Sequence, residues 1–207
     1  MQILVTGANG LLGNHLVREL LRAGNKVRGL VRQGSNLQGL AGLNVELAYG
    51  DVRDGAALRA ASDGCELLYH TAAVFAYTGH SAADMESTAR DGASNVVQVA
   101  KDAGIKRLIL TSSTVVLGGS DTPVALDERA ELSGQGMPDY FTTKALQERT
   151  ALARGRELGI EVVAVNPAVF IGPHDFRPSA SLSTITAYLL DPLKVTYGGG
   201  INLSHVT

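Results

Sequence analysis

The run Thr6-Gly7-Ala8-Asn9-Gly10-Leu11-Leu12-Gly13 sets three glycines at three-residue intervals between two different apolar patterns. Before it comes Gln2-Ile3-Leu4-Val5, a short apolar run of the kind that forms a buried parallel strand. After it, Leu11, Leu12, Leu16, Val17, Leu20 and Leu21 recur at helical spacing. The glycines therefore fall on a strand-to-helix turn. Such a turn suits the pyrophosphate of a dinucleotide. Backbone N–H groups and the positive helix end face the anion, and a side chain beyond hydrogen would block its approach. The spacing is G-x-x-G-x-x-G, not the commoner G-x-G-x-x-G. A glycine-rich turn without a ligand is the alternative for the motif alone, and the strand and helix around it argue for the dinucleotide.

Strands and helices then alternate, which predicts an α/β fold with a doubly wound parallel sheet, the Rossmann fold. Strands are expected at 26–32, 44–49 (alternating), 66–70, 107–110 and 160–165. Asp54 reads as an N-cap. Long helices are expected at 82–103, with Val96, Val97, Val99 and Ala100 buried, and at 140–158. Residues 118–138 are polar and rich in Gly, Pro and Asp, and read as a surface loop over the strand ends. With 207 residues, 45% hydrophobic, the chain can fill one such domain and begin a second. We place the dinucleotide-binding domain at 1–165 and the start of a small C-terminal substrate lobe at 166–207.

The formal net charge of −2 and the lack of a basic run give no electrostatic case for nucleic acid or an anionic membrane. A single cysteine, Cys65, excludes an intrachain disulfide and a cysteine-rich metal site, and no metal is expected. Cys65 reads as a buried structural thiol. Met1 leads directly into a strand, and no apolar run approaches the roughly 18 residues of a membrane span. The expectation is a cytoplasmic protein.

Three groups carry the chemistry. Where an acid would bond the ribose 2′-OH of NAD, the chain has Arg32, a guanidinium suited to a 2′-phosphate; this favours NADP(H), with NAD(H) possible. Thr71-Ala72-Ala73 supply small side chains at a strand's carboxyl end, where a cofactor passes. His70, just before them, reads as a packed or hydrogen-bonded strand-end histidine rather than a catalyst. Ser112-Ser113 end the fifth strand, and Tyr140 and Lys144 stand at i and i+4 on one helix. A free tyrosine has a pKa of about 10 and is a poor base at neutral pH. A lysine cation one turn away and an oxidised nicotinamide both favour the phenolate. Tyr140 can then exchange a proton with a carbinol oxygen held by a serine hydroxyl, while hydride moves to or from the cofactor.

With these motifs the chain resembles the extended short-chain dehydrogenase/reductases, the NAD-dependent epimerase/dehydratase family. The resemblance rests on Thr6–Gly13, Gly50-Asp51, His70–Ala73, Thr111-Ser112-Ser113, Tyr140…Lys144 and Asn166-Pro167…Ile171-Gly172-Pro173. Within the family the chain is most similar to dihydroflavonol-4-reductase-like proteins. The resemblance implies Ser113, Tyr140 and Lys144 as catalytic residues, with Lys144 also on the nicotinamide ribose. It implies cofactor contacts at Gly7, Asn9, Gly10, Leu11, Leu12, Gly13, Arg32, Asp51 (adenine), Val52, Thr71, Ala72, Ala73, Thr111, Tyr140, Lys144 and Pro167 (nicotinamide side). A homodimer through the two long helices is also implied.

The departures are informative. Thr114-Val115 stand where sugar-nucleotide dehydratases carry Asp-Glu, which disfavours dehydration. Ala89 replaces a family asparagine, and Asn95 matches only the next, variable one. No lysine after Arg32 matches the one that assists 2′-phosphate binding in the plant reductases. Family members run to about 300 residues or more, and Ile201–Thr207 resembles a strand entering an H-V-x-D segment, so a longer parent chain is expected. Phe170–Thr196, with His174, Asp175 and Arg177, reads as the beginning of the substrate lobe; His174 and Asp175 could touch substrate there, and a turn after Pro173 is the simpler role for them. The leading expectation is an NADP(H)-dependent oxidoreductase acting on a ketone, aldehyde or secondary alcohol. The alternatives are an NAD-dependent nucleotide-sugar epimerase and, in a different class, a non-catalytic dinucleotide sensor. The intact Ser113, Tyr140 and Lys144 argue against the sensor.

Overall fold

The apolar runs pair side by side, all in one direction. In the computed structural model, which describes residues 1–73, 81–120, 122, 124–132, 139–176, 179–194 and 202–207, β1 (Gln2–Thr6) leads through α1 (Leu11–Arg22) to β2 (Lys26–Val31) and β3 (Val45–Tyr49). There follow α2 (Gly55–Ser62), β4 (Leu67–His70), α3 (Ala82–Asp102), β5 (Arg107–Thr111), α4 (Asp139–Leu158) and β6 (Glu161–Val165). Among the described residues these six strands form a parallel sheet in the order β3-β2-β1-β4-β5-β6. The order reverses between β1 and β4, and ligands of open α/β sheets sit outside the carboxyl ends at that switch. Both Gly7 and Thr71-Ala72-Ala73 lie there.

Alternation along each strand sends side chains to two cores. Leu4, Leu30, Leu68, Leu108 and Leu110 pack on α2, α3 and α4, where Leu58, Val96, Val97, Val99 and Ala100 are buried with them. Ile3, Val5, Val27 and Val31 pack on α1 through Val17. Cys65 is buried in the first core, as expected. Asp54 caps α2, its side chain accepting from the Ala56 and Ala57 N–H groups.

One expectation needs correction, and one burial went unforeseen. β3 does not alternate cleanly between buried and exposed: it is the sheet edge, and Leu47 and Tyr49 are exposed. In α1 the apolar stripe packs as its spacing predicts, Leu16, Leu20 and Leu21 around buried Val17, and Gly13, Asn14 and His15 are buried as well. The reason is a distant segment: His15 Nε2 bonds the Pro173 carbonyl at 2.8 Å and Asn14 Nδ2 donates to the His174 carbonyl.

After β6 come β7 (Val169–Ile171), α5 (Ala180–Leu190) and β8 (Leu203–His205), with β7 and β8 paired in parallel. His174 has φ 61°, and Asp175 accepts from the Ser179 N–H, so both shape the turn before α5. Within 118–138, residues 124–129 are exposed; 121, 123 and 133–138, like Arg177, lie outside the described residues.

Candidate active site

The glycine turn is built by close packing. Gly7 has φ 71°, and a Cβ there would sit 2.9 Å from the Ala72 backbone. A Cβ at Gly13 would sit 2.2 Å from the Gly7 carbonyl oxygen. The turn is tied to β2 by the Gly7 N–H donating to the Leu30 carbonyl. Gly10 is the N-cap of α1 and provides no side-chain cap, and no acid stands in the first turn. The first-turn amides, including those of Leu11 and Leu12, have no intrahelical acceptor and point out of the helix end. A positive helix end, bare of capping groups and of acids, fits a pyrophosphate.

The turn is linked to the segment after β2, since Asn9 Nδ2 donates to the Asn36 carbonyl. Arg32 is exposed at the end of β2. Asp51 follows β3, and both its oxygens accept from Arg53, which also bonds Asp84. These bonds hold the Asp51 carboxyl below the usual carboxylate range, with a smaller contribution from the Arg32 charge. Val52 is buried against Gly92 of α3, which leaves main chain as what it can offer a cofactor. Asn95 donates to the Val52 and Arg53 carbonyls and so fastens this segment.

At the other end of the crevice, Lys144 is buried. Its Nζ donates to the Thr111 carbonyl at 2.9 Å and to Gln147 Oε1 at 2.6 Å. Burial lowers its pKa to about 8, against a smaller upward pull from Glu148. Tyr140 stands half-buried one turn earlier on α4. Thr111 ends β5, and Ser112 is buried while Ser113 is half-buried. Ser113 Oγ accepts from the Val115 N–H, and the Pro167 carbonyl accepts from Thr114. Lys144 is thus pinned to the strand end that carries Ser113, with Tyr140 on the same helix. A cavity of about 10 Å³ beside Lys144, lined by Thr88, Ala89 and Thr143 among others, has room for about one water.

Behind Lys144 lies a polar chain whose central link, Gln147, sequence reasoning missed. Gln147 Nε2 lies 3.2 Å from His70 Nε2 and donates to the Ala72 carbonyl. His70 Nδ1 lies 2.8 Å from Thr6 Oγ1. His70 is wholly buried, which holds its pKa down to about 3, helped by the nearby Lys144 charge. The folded chain therefore keeps His70 neutral where the unfolded chain protonates it. From the ordinary value near 6.5 down to about 3, unfolding takes up a proton. Stability is full above that window and falls as the pH drops through it, by up to about 1.4 kcal/mol per pH unit. Urea midpoints should be lower at about pH 5 than at about pH 7, and the gap should shrink in His70→Gln, which cannot titrate.

Among the described residues no cluster of His, Cys, Asp and Glu is placed to hold a metal ion, and no helix is long and apolar enough to cross a membrane. The strand order, glycine turn and bare helix end define a dinucleotide-binding Rossmann protein. Residues 3–200 match the NAD dependent epimerase/dehydratase family, and the chain belongs to that family. It is 39% identical over 185 residues to sterol demethylase protein B of Methylococcus capsulatus, covering 89% of this chain and 56% of that one. It is 32% identical over 206 residues to a putative dihydroflavonol 4-reductase of Synechocystis, covering 98% of this chain and 59% of the relative. The crystal structure of gox2253 superposes with a TM-score of 0.90 at 31% identity, covering 99% of this chain and 62% of that one. The chain therefore spans less than two thirds of the length of these relatives.

Proposed function

We propose that this chain carries the cofactor site and proton-transfer residues of an NADP(H)-dependent oxidoreductase, which reduces a ketone or aldehyde or oxidises the corresponding secondary alcohol. The observation that carries the reading is Lys144: a buried amine, one helical turn from Tyr140, anchored by the Thr111 carbonyl two residues before Ser113. The dinucleotide would be held by Gly7, Gly10 and the first turn of α1 at its pyrophosphate, by Arg32 and Asp51 at its adenosine end, and by Thr71–Ala73, Lys144 and Pro167 toward the nicotinamide. Bound there, it supplies or accepts hydride. Tyr140 gives a proton to the carbonyl oxygen in reduction and takes it back in oxidation. Ser113 Oγ holds that oxygen by a hydrogen bond. Lys144, as an ammonium, stabilises the Tyr140 phenolate and brings its pKa toward the working range.

The reductase name of the Synechocystis relative supports this reading, and sterol and flavonoid carbonyl compounds belong at the head of the substrate screen. The family description favours a second reading, an NAD-dependent nucleotide-sugar epimerase using the same three residues with no net consumption of cofactor. Residues 1–165 form the cofactor domain in our reading, and 166–207 begin the substrate lobe. We further place the protein in the cytoplasm as a homodimer paired through α3 and α4; a purely monomeric sedimentation profile would remove the dimer.

Cofactor preference is tested by fluorescence titration. NADPH should bind more tightly than NADH, and Arg32→Ala should weaken NADPH by about 10–100-fold while leaving NADH nearly unchanged, as loss of a charged hydrogen bond to phosphate predicts. Equal affinities in the wild type would move the balance to NAD and to the epimerase.

A further inference from the structure

The polar chain behind Lys144 has a direction. Below about pH 8 Lys144 is an ammonium and only donates. Gln147 must therefore turn its Oε1 toward Lys144, and its NH2 toward His70 and Ala72. His70 Nε2 then accepts, so His70 carries its proton on Nδ1 and donates to Thr6 Oγ1. The four side chains of this polar chain are buried: Gln147 is 2% exposed, Lys144 5%, His70 1% and Thr6 0%. Gln147 bridges α4 to the end of β4, and Thr6 is the last residue before the glycine turn.

We propose that Gln147 is a positioning residue for Lys144, its amide held by His70 and the Ala72 carbonyl so that its oxygen fixes the lysine Nζ against the end of β5. The proposal deepens the oxidoreductase reading, because it gives Lys144 its place beside Tyr140, and its catalytic meaning rests on that reading. A long polar side chain buried in a helical core loses hydration and side-chain entropy, and here it returns that loss by meeting three partners. The titratable groups coupled to the Lys144 charge are His70 from β4 and Glu148 from α4, and Tyr140 stands one turn earlier on α4. β5 presents the Thr111 carbonyl, and α3 presents Met85, Thr88 and Ala89 at the adjoining cavity.

Two variants separate positioning from filling space. Gln147→Met keeps the volume and loses both polar ends. Gln147→Glu keeps an acceptor for Lys144 and adds charge, but cannot donate to His70. The readout is nuclear magnetic resonance of the cofactor-free chain, following the Lys144 side chain and the His70 ring nitrogens with pH. In the wild type, His70 should show its proton on Nδ1. Gln147→Met should lower the Lys144 midpoint by about half a pH unit or more, since the ammonium loses an acceptor. Gln147→Glu should raise it and move the His70 proton to Nε2. Unchanged midpoints and an unchanged tautomer in folded variants would overturn the proposal. Gln147→Glu decides alone if Gln147→Met does not fold. In alcohol oxidation, the acid limb of the pH–rate profile should move up in Gln147→Met, because a less charged Lys144 supports the phenolate less. A chain with no oxidoreductase activity would refute the proposed function and leave the resonance result standing.

Discussion

Tyr140→Phe will lower turnover by about 10²–10⁴-fold, the range that a positioned general acid or base contributes, and will leave NADPH affinity within about threefold. The substitution removes one oxygen and keeps the ring, which stands edge-on to Phe141 with centroids 6.3 Å apart. α4 starts one residue before Tyr140 and its buried residues begin at Lys144 and Ala145, so the substitution leaves the core face of the helix unchanged. The loss should fall on kcat and on kcat/KM alike, because the proton is transferred only in the transition state. Steady-state kinetics with a cofactor titration checks it. Retained turnover would take the proton transfer away from Tyr140. Absent turnover in the wild type, with cofactor still bound, would favour the sensor.

Gly13→Ala and Gly10→Ala should fail in different ways. At Gly13 the added methyl would lie 2.2 Å from the Gly7 carbonyl oxygen and 2.9 Å from the Ala8 Cα, both backbone atoms that cannot swing aside. The helix start or the turn must move. We expect a stability loss of about 1–3 kcal/mol or more, the cost of overpacking a tight contact, together with loss of cofactor binding by about 100-fold or more. At Gly10 the same methyl would meet only the Gly7 carbonyl, at an ordinary 3.4 Å. Gly10→Ala should fold with close to the wild-type urea midpoint and still bind the dinucleotide poorly, because in the proposed binding mode its methyl would stand where the anion approaches. Urea midpoints paired with titrations test the contrast. Wild-type stability for Gly13→Ala, or wild-type affinity for Gly10→Ala, would contradict the packing roles assigned to the two glycines.

The sheet was legible because its strands are apolar runs set off by turn residues, and periodicity is the strongest local signal. The limits of that signal show at β3 and α1. β3 reads as alternating, yet it lies at the sheet edge and leaves Leu47 and Tyr49 exposed. In α1 the buried His15 and Asn14 owe their burial to Pro173 and His174, about 160 residues away along the chain, and no local pattern carries that information. Tyr140 and Lys144 were legible because both lie on one helix at a fixed spacing. Gln147 lies on the same face but reads as an ordinary helix-surface residue. Its partner His70 comes from β4, 77 residues earlier. Only the packing of the N-terminal half of α4 against the carboxyl ends of β4 and β5 turns that glutamine into a buried bridge.

The measurement that bears most directly on the central claim follows deuterium from the nicotinamide ring of labelled NADPH into a panel of ketones, with sterol and flavonoid ketones included. The account predicts net consumption of cofactor and deuterium on the carbinol carbon of an alcohol product, with both lost in Tyr140→Phe. Bound cofactor that labels no carbonyl, while the unlabelled chain interconverts epimers of a nucleotide sugar, would contradict it.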